Sequence, residues 1–167
     1  MIILGIDPGT ATTGYGVIKK QRDQNQKFKV LDFGCIITMQ NLPAGERLKK
    51  IHKEILKLID KYKPDLISVE SLFFFKNLKT VMPVSQAKGV ILLAAAQKKV
   101  PTCEFTPLQV KMTVVGYGRA EKKQVQKMIK EILDLSKFDF KKNNRKKDDA
   151  ADALGITICA ALKDLRY

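Results

Sequence analysis

Ile2, Ile3, Leu4 and Ile6 make an almost unbroken aliphatic run that stops at Asp7 and turns at Pro8, Gly9 and Thr10, after which Tyr15, Val17 and Ile18 resume it. Such a run reads as a strand buried on both faces at the centre of a sheet, and this opening stretch, residues 1–19, constrains the fold more than any other. In strand alternation Asp7 shares a face with Ile3 and with Gly5, which has no side chain to crowd it. A carboxylate so placed either opens a turn, ordinary chemistry for Asp-Pro-Gly, or binds a hard cation or a phosphate-bound metal. Residues elsewhere must decide.

Residues 28–38 read as a third strand, set off from the second by a polar hairpin loop at 21–27. After a loop at 41–45, Leu48, Ile51, Ile55, Ile59 and Tyr62 recur at helical spacing, with Lys49, Lys50, Lys53 and Lys57 on the remaining surface, and the helix stops at Pro64. Residues 66–70 then repeat the opening pattern, a short apolar strand ending in an acid, Glu70. Strand, helix, strand favours a parallel crossover, which brings Glu70 beside Asp7. Residues 80–99 predict a largely buried helix with Pro83 in its first turn. Its small residues Ala87, Gly89, Ala94, Ala95 and Ala96 suit either packing within the monomer or a subunit interface. A strand at 102–106, a short helix from Pro107 containing Lys111, a glycine-containing turn at 114–119 and an amphipathic helix through Val125, Ile129 and Ile132 follow, the last preceded by Lys122 and Lys123. From spacing alone, Lys111 and Lys122 are solvated surface residues. A basic loop at 137–147 leads to Asp148, Asp149 and Asp152 and a final helix through Leu154, Ile158 and Leu162. Asp149 and Asp152, three apart, point from one face of its first turn, with Asp148 rotated away. Capping accounts for one aspartate there; two on one face ask for a ligand.

The chain has 167 residues, 45% of them hydrophobic, enough for one globular domain spanning 1–167. Lys and Arg number 31 against 17 Asp and Glu, a net charge of +14. That surplus favours a polyanionic partner, nucleic acid first; a surface adapted to heat or a biased genome is the other source. Cys35, Cys103 and Cys159 lie apart in apolar stretches and read as core residues of a reducing cytosol. With no apolar run long enough to span a membrane and no signal-peptide pattern, a soluble cytoplasmic protein is expected. His52, the one histidine, sits among lysines on a helix. Without a second histidine or a Cys-His pair, the usual nucleophile and zinc chemistries close, and carboxylates with bound metal remain. Phe73, Phe74 and Phe75 beside Lys76 in a loop suit base stacking for at least one ring, with packing under the loop for others.

Ile6-Asp7-Pro8-Gly9-Thr10 with Gly14-Tyr15-Gly16, Val69-Glu70, Gln86-Ala87-Lys88-Gly89, Val110-Lys111 with Thr113-Val114-Val115-Gly116, Ala120-Glu121-Lys122 and Asp149-Ala150-Ala151-Asp152-Ala153-Leu154 together resemble the RuvC family of bacterial Holliday junction resolvases, over residues 1 to about 165. The resemblance implies an α/β, ribonuclease H-like fold, with a five-stranded mixed sheet whose first three strands are antiparallel, flanked by helices. It implies a homodimer that resolves four-way DNA junctions in recombination and repair by paired nicks in strands of like polarity, leaving 5′-phosphate and 3′-hydroxyl ends, beside a RuvA and RuvB branch-migration complex. Asp7, Glu70, Asp149 and Asp152 match the family's four catalytic acids, Lys111 and Lys122 its basic residues at the cleft, and Phe73 an aromatic that contacts bases. Phe74, Phe75 and the 137–147 loop look like local features.

The chemistry has its own argument. Carboxylates 4 Å apart repel by about 1 kcal/mol per pair in water and about 4 kcal/mol in a partly shielded site, so four would not gather without cations. Hard oxygen ligands select Mg²⁺, with Mn²⁺ able to substitute, and two such ions can activate a water and stabilise the leaving oxygen of an in-line displacement at phosphorus. Asp7 would bridge the ions, Glu70 and Asp149 would hold one each, and Asp152 would complete the shell, with Lys111 or Lys122 offsetting charge in the transition state. An RNA-processing nuclease of the YqgF kind, an actin-like ATPase, for which the chain is too short, and a non-enzymatic junction binder, which leaves the acids unexplained, are the other readings.

Overall fold

The computed structural model describes residues 1–21, 28–71, 78–135 and 147–163. The expectations for the hairpin loop, for Phe73, Phe74 and Phe75, and for most of the basic loop lie outside these residues.

The strands are β1 (Ile2–Asp7), β2 (Thr12–Lys20), β3 (Phe28–Ile37), β4 (Leu66–Glu70) and β5 (Thr102–Phe105); the helices are α1 (Ala44–Tyr62), α2 (Leu78–Gln97), α3 (Pro107–Val115), α4 (Lys122–Ile132) and α5 (Lys147–Leu162). One five-stranded sheet runs in the order β3-β2-β1-β4-β5. β1, β2 and β3 are antiparallel neighbours, whereas β4 pairs parallel to β1 and β5 parallel to β4. The aliphatic opening run is thus the central strand, with Ile3, Leu4 and Ile6 fully buried.

The twofold alternation of β1 and β2 divides the core. Leu4, Ile6, Val17, Ile67 and Val69 meet α1 and α2 on one face. Ile3, Ile18 and Leu66 meet α3, α4 and α5 on the other. α1 inserts Ile51, Ile55 and Ile59, each burial stabilising by about 2 kcal/mol. It ends at Lys63, whose left-handed backbone (φ 46°) turns its N–H onto the Ile59 carbonyl at 2.8 Å before Pro64. α3 and α4 each begin with a reciprocal capping box, Thr106 with Gln109 and Glu121 with Gln124, so both helices start at a defined residue beside the sheet's carboxyl end.

α2 departs from expectation. It begins at Leu78, which puts Pro83 inside the helix rather than in its first turn. Nor is it largely buried: Ala87, Ile91, Ala94 and Ala95 pack on the sheet, but Met82 and Leu93 are 66% and 53% exposed, on a stripe with Gln86, Gly89 and Ala96. An apolar helix in sequence can face a core on one side and open surface on the other. Cys159 is buried, and Cys35 and Cys103 are half-buried. His52 bonds to Gln97 Oε1 at 2.9 Å. Among the described residues no helix is long and apolar enough to cross a membrane.

Candidate metal centre

Asp7 and Glu70 are the last residues of adjacent parallel strands, in register through the Ile6 and Val69 pair, and so leave the sheet side by side. α5 supplies the other two acids, and glycines let it come close. A Cβ on Gly5 would overlap Thr157 Oγ1 and stand 2.6 Å from the Ala153 carbonyl oxygen, while one on Gly14 would overlap the Asp149 carbonyl oxygen itself. Gly14 is also the cross-strand partner of Asp7. The missing side chain therefore seats the first turn of α5 on the strand pair where Asp7 emerges. One carboxylate oxygen from each of Asp7, Asp149 and Asp152 lies within 4.8 Å of the others. Glu70 joins through a hydrogen bond with Asp7.

The electrostatics show the strain of that gathering. Burial, then the charge and hydrogen bond of Glu70, then Asp152 and Asp149, push the Asp7 carboxyl up to about 9. The Asp7 and Glu70 pair therefore keeps a proton between its carboxyls at neutral pH in the metal-free protein. Burial raises Glu70 as well, offset in part by that hydrogen bond and by Lys122. Burial likewise raises Asp152, although Lys122 Nζ stands 2.8 Å from its Oδ2. Burial opposes the charge on Lys122, but the hydrogen bond to Asp152 and the charges of Asp152, Asp148 and Asp149 outweigh it, so the ammonium is held more firmly than usual. Lys122 is the cation that Asp152 holds here. Asp148 lies outside the cluster of ligand oxygens, as its rotation on the helix predicts, but stays at its rim: it is exposed, accepts from Gln126 at 3.1 Å and stands 4.0 Å from Lys122 Nζ.

Lys111 on α3 and Lys122 on α4 line one side of a cavity of about 290 Å³ with Glu70 and Asp152, over a floor that includes Val110, Val125, Ile129 and Ile156. Both lysines thus stand beside the acids, which spacing alone could not show. Phe73 lies outside the described residues. Sequence reasoning missed the seating role of Gly14, the Lys122 to Asp152 pair, and two buried hydroxyls on the same sheet face, Thr12 Oγ1 and Ser68 Oγ, that have no hydrogen-bond partner among the described residues. Alternation from Gly14 and from Glu70 was the available signal for both hydroxyls.

All the donors offered at this point are carboxylate oxygens, a set that suits hard divalent cations. Positive charge at this point would offset the burial and repulsion that now keep a proton on the Asp7 and Glu70 pair.

Comparison with known proteins gives a consistent result. A family model described as crossover junction endodeoxyribonuclease RuvC matches residues 3–160. The chain is 50% identical to the crossover junction endodeoxyribonuclease RuvC of Halothermothrix orenii over 159 residues, covering 95% of this chain and 91% of that protein. It is 51% identical to that of Ruminiclostridium cellulolyticum, covering 95% and 90%. Among solved structures it resembles Thermus thermophilus RuvC in complex with Holliday junction substrate, with a TM-score of 0.84 at 32% identity, covering 96% of this chain and 93% of that one. The yeast mitochondrial Holliday junction resolvase Ydc2, at 15% identity and a TM-score of 0.65, shares the fold.

Proposed function

The chain belongs to the RuvC family of crossover junction endodeoxyribonucleases, and from that premise we propose how its own residues cut a four-way DNA junction. Asp7, Glu70, Asp149 and Asp152 would hold two Mg²⁺ ions, with Mn²⁺ able to substitute. The observation that carries this reading is the convergence of Asp7, Asp149 and Asp152 within 4.8 Å of one another, with Glu70 hydrogen-bonded to Asp7. When bound, the ions supply Lewis-acid charge to the scissile phosphodiester and to the water that attacks it.

The protein's own part is to prepare that point. Asp7, which feels all three other acids, would be the central ligand, with Glu70, Asp149 and Asp152 completing the oxygen set around it. On taking up metal, Asp7 and Glu70 would release their shared proton to solvent. With metal bound, Asp152 would be a ligand rather than the partner of Lys122, and the ammonium would face the phosphate with Lys111. No side chain serves as nucleophile.

The full chain, 1–167, acts as one nuclease domain, and its +14 charge draws the junction's phosphates. Phe73 contacts bases near the exchange point. Two copies cut strands of like polarity, leaving 5′-phosphate and 3′-hydroxyl ends. Support for the homodimer comes from the open stripe of α2, where Met82, Gly89 and Leu93 offer an apolar face with a central notch: a Cβ on Gly89 would meet nothing within 4 Å. The enzyme works in the cytoplasm beside RuvA and RuvB.

The test is nicking of an end-labelled four-way junction, compared with linear duplex and an RNA hybrid, in Mg²⁺ and in EDTA. Metal-dependent, symmetric paired cuts in the junction alone are expected. Preferential cutting of RNA, or binding without cutting in either metal, contradicts the reading.

A further inference from the structure

We infer that Arg47 binds a backbone phosphate of the DNA strand to be nicked, on the side of the acid cluster opposite Lys111 and Lys122. This rests on the junction-cutting reading and extends it to a residue that the acids and lysines leave unused.

Arg47 lies in the first turn of α1, half-buried. Its Nε donates to Thr38 Oγ1 at 2.8 Å. Thr38, 4% exposed, donates its own hydroxyl to the Thr10 carbonyl and its N–H to the Ala11 carbonyl at 3.1 Å. Thr10 and Ala11 belong to the turn that follows Asp7. One buried hydroxyl thus ties the guanidinium to the segment carrying the central acid.

That tie uses one of five guanidinium N–H groups. Among the described residues no carboxylate pairs with the rest, and the adjacent Glu46 is turned to Lys49 at 3.6 Å. Lys57, Lys61, Lys88, Lys98 and Lys122, by contrast, all stand beside acids. An oriented, partly desolvated guanidinium without an anion is costly unless a ligand supplies one. A brace for the turn would need neither the charge nor the planar fork, whereas a phosphate needs both.

Position selects the ligand. β3, which delivers Thr38, is two strands from β1 on one side, about 10 Å at ordinary strand spacing. The lysines stand on the other side, where α3 follows β5 and α4 follows α3. Cations therefore stand on both sides of the acids at the carboxyl edge of β1, Arg47 from the sheet face that α1 covers and the lysines from the face that α3, α4 and α5 cover, so a DNA strand crossing that edge at the acids would pass between them.

The experiment measures binding of the full-length protein to synthetic four-way junctions in Ca²⁺ over a salt series. The junctions carry either all phosphates or one neutral methylphosphonate at successive positions around the cut site. Arg47→Gln is expected to weaken binding of the all-phosphate junction about 10-fold and to make the log-log salt slope shallower by about 0.9. Arg47→Lys should restore the slope and only part of the affinity. One methylphosphonate position should erase the difference between wild type and Arg47→Gln. If Arg47→Gln does not fold, Thr38→Val, which keeps the charge and removes its anchor, should weaken binding, and the same methylphosphonate should erase that difference. A lowered melting temperature with an unchanged slope, and no position that closes the gap, overturns the inference while leaving junction cleavage intact. Failure of the wild type to bind any junction overturns both.

Discussion

Asp7→Asn, in the absence of metal, should make the protein more stable, and increasingly so as pH rises. The Asp7 carboxyl has an ordinary value of 3.8 and is raised to about 9 in the fold, by burial first and then by Glu70 and the two α5 aspartates. A group raised on folding contributes stability that is fully present below the unfolded value and is lost as pH climbs through the folded one. The metal-free wild type therefore loses stability from about pH 4 to about pH 9. Each pH unit in that window is worth up to about 1.36 kcal/mol for this carboxyl, so the interval from pH 5 to pH 8 accounts for at most about 4 kcal/mol. For a chain of this size that corresponds to as much as about 8–16 °C in melting temperature. The asparagine amide still donates to Glu70 but has no proton to lose, so the wild type minus variant difference reports the proton held by the Asp7 and Glu70 pair. Thermal unfolding in EDTA at half-unit pH steps is the assay. The variant should gain steadily on the wild type, and Mg²⁺ should reverse the order at pH 8 by stabilising only the wild type. Melting temperatures that run parallel from pH 5 to pH 8 would refute the claim that the fold holds these acids together against their repulsion.

Gly14→Ala should lower both stability, by about 1–3 kcal/mol, and the single-turnover nicking rate, because the added methyl meets the Asp149 backbone, which cannot swing aside as a side chain can; a wild-type rate would contradict the seating argument. Lys122→Ala should tighten Mg²⁺ binding to the DNA-free protein up to about 5-fold, since a half-exposed ion pair of up to about 1 kcal/mol no longer competes for Asp152, yet slow nicking at saturating metal by about 10²-fold; calorimetric titration and quenched-flow nicking read the two effects. Junction affinity should fall steeply with salt, at about 0.9 log units per decade for each duplex phosphate contacted, and a flat response would refute the basic-face argument.

Much of the sheet was legible because its strands are distinct patterns: an all-apolar run for a strand covered on both faces, and repeated endings in an acid for the two parallel strands whose tips meet. α1 and α4 were legible from their apolar stripes. α2 was not, since an apolar residue such as Leu93 has the same signature whether it faces a core or open surface. The four acids could be chosen from strand ends and helical spacing, but their convergence depends on Gly5 and Gly14 admitting α5, a tertiary contact across more than a hundred residues. The Lys122 to Asp152 pair is likewise a meeting of two helices, and Arg47 reads as one more helix cation until Thr38 shows what holds it.

The most direct test of the central claim is single-turnover cleavage of a four-way junction by Asp7→Asn, Glu70→Gln, Asp149→Asn and Asp152→Asn, each measured beside its junction affinity in Ca²⁺. If the four carboxylates form one metal centre, every variant should lose at least about 10²-fold in rate while binding the junction as the wild type does. A variant that cuts within a few-fold of the wild type would remove its residue from the centre, and loss of binding in step with cleavage would show that the acids shape the DNA surface rather than the chemistry.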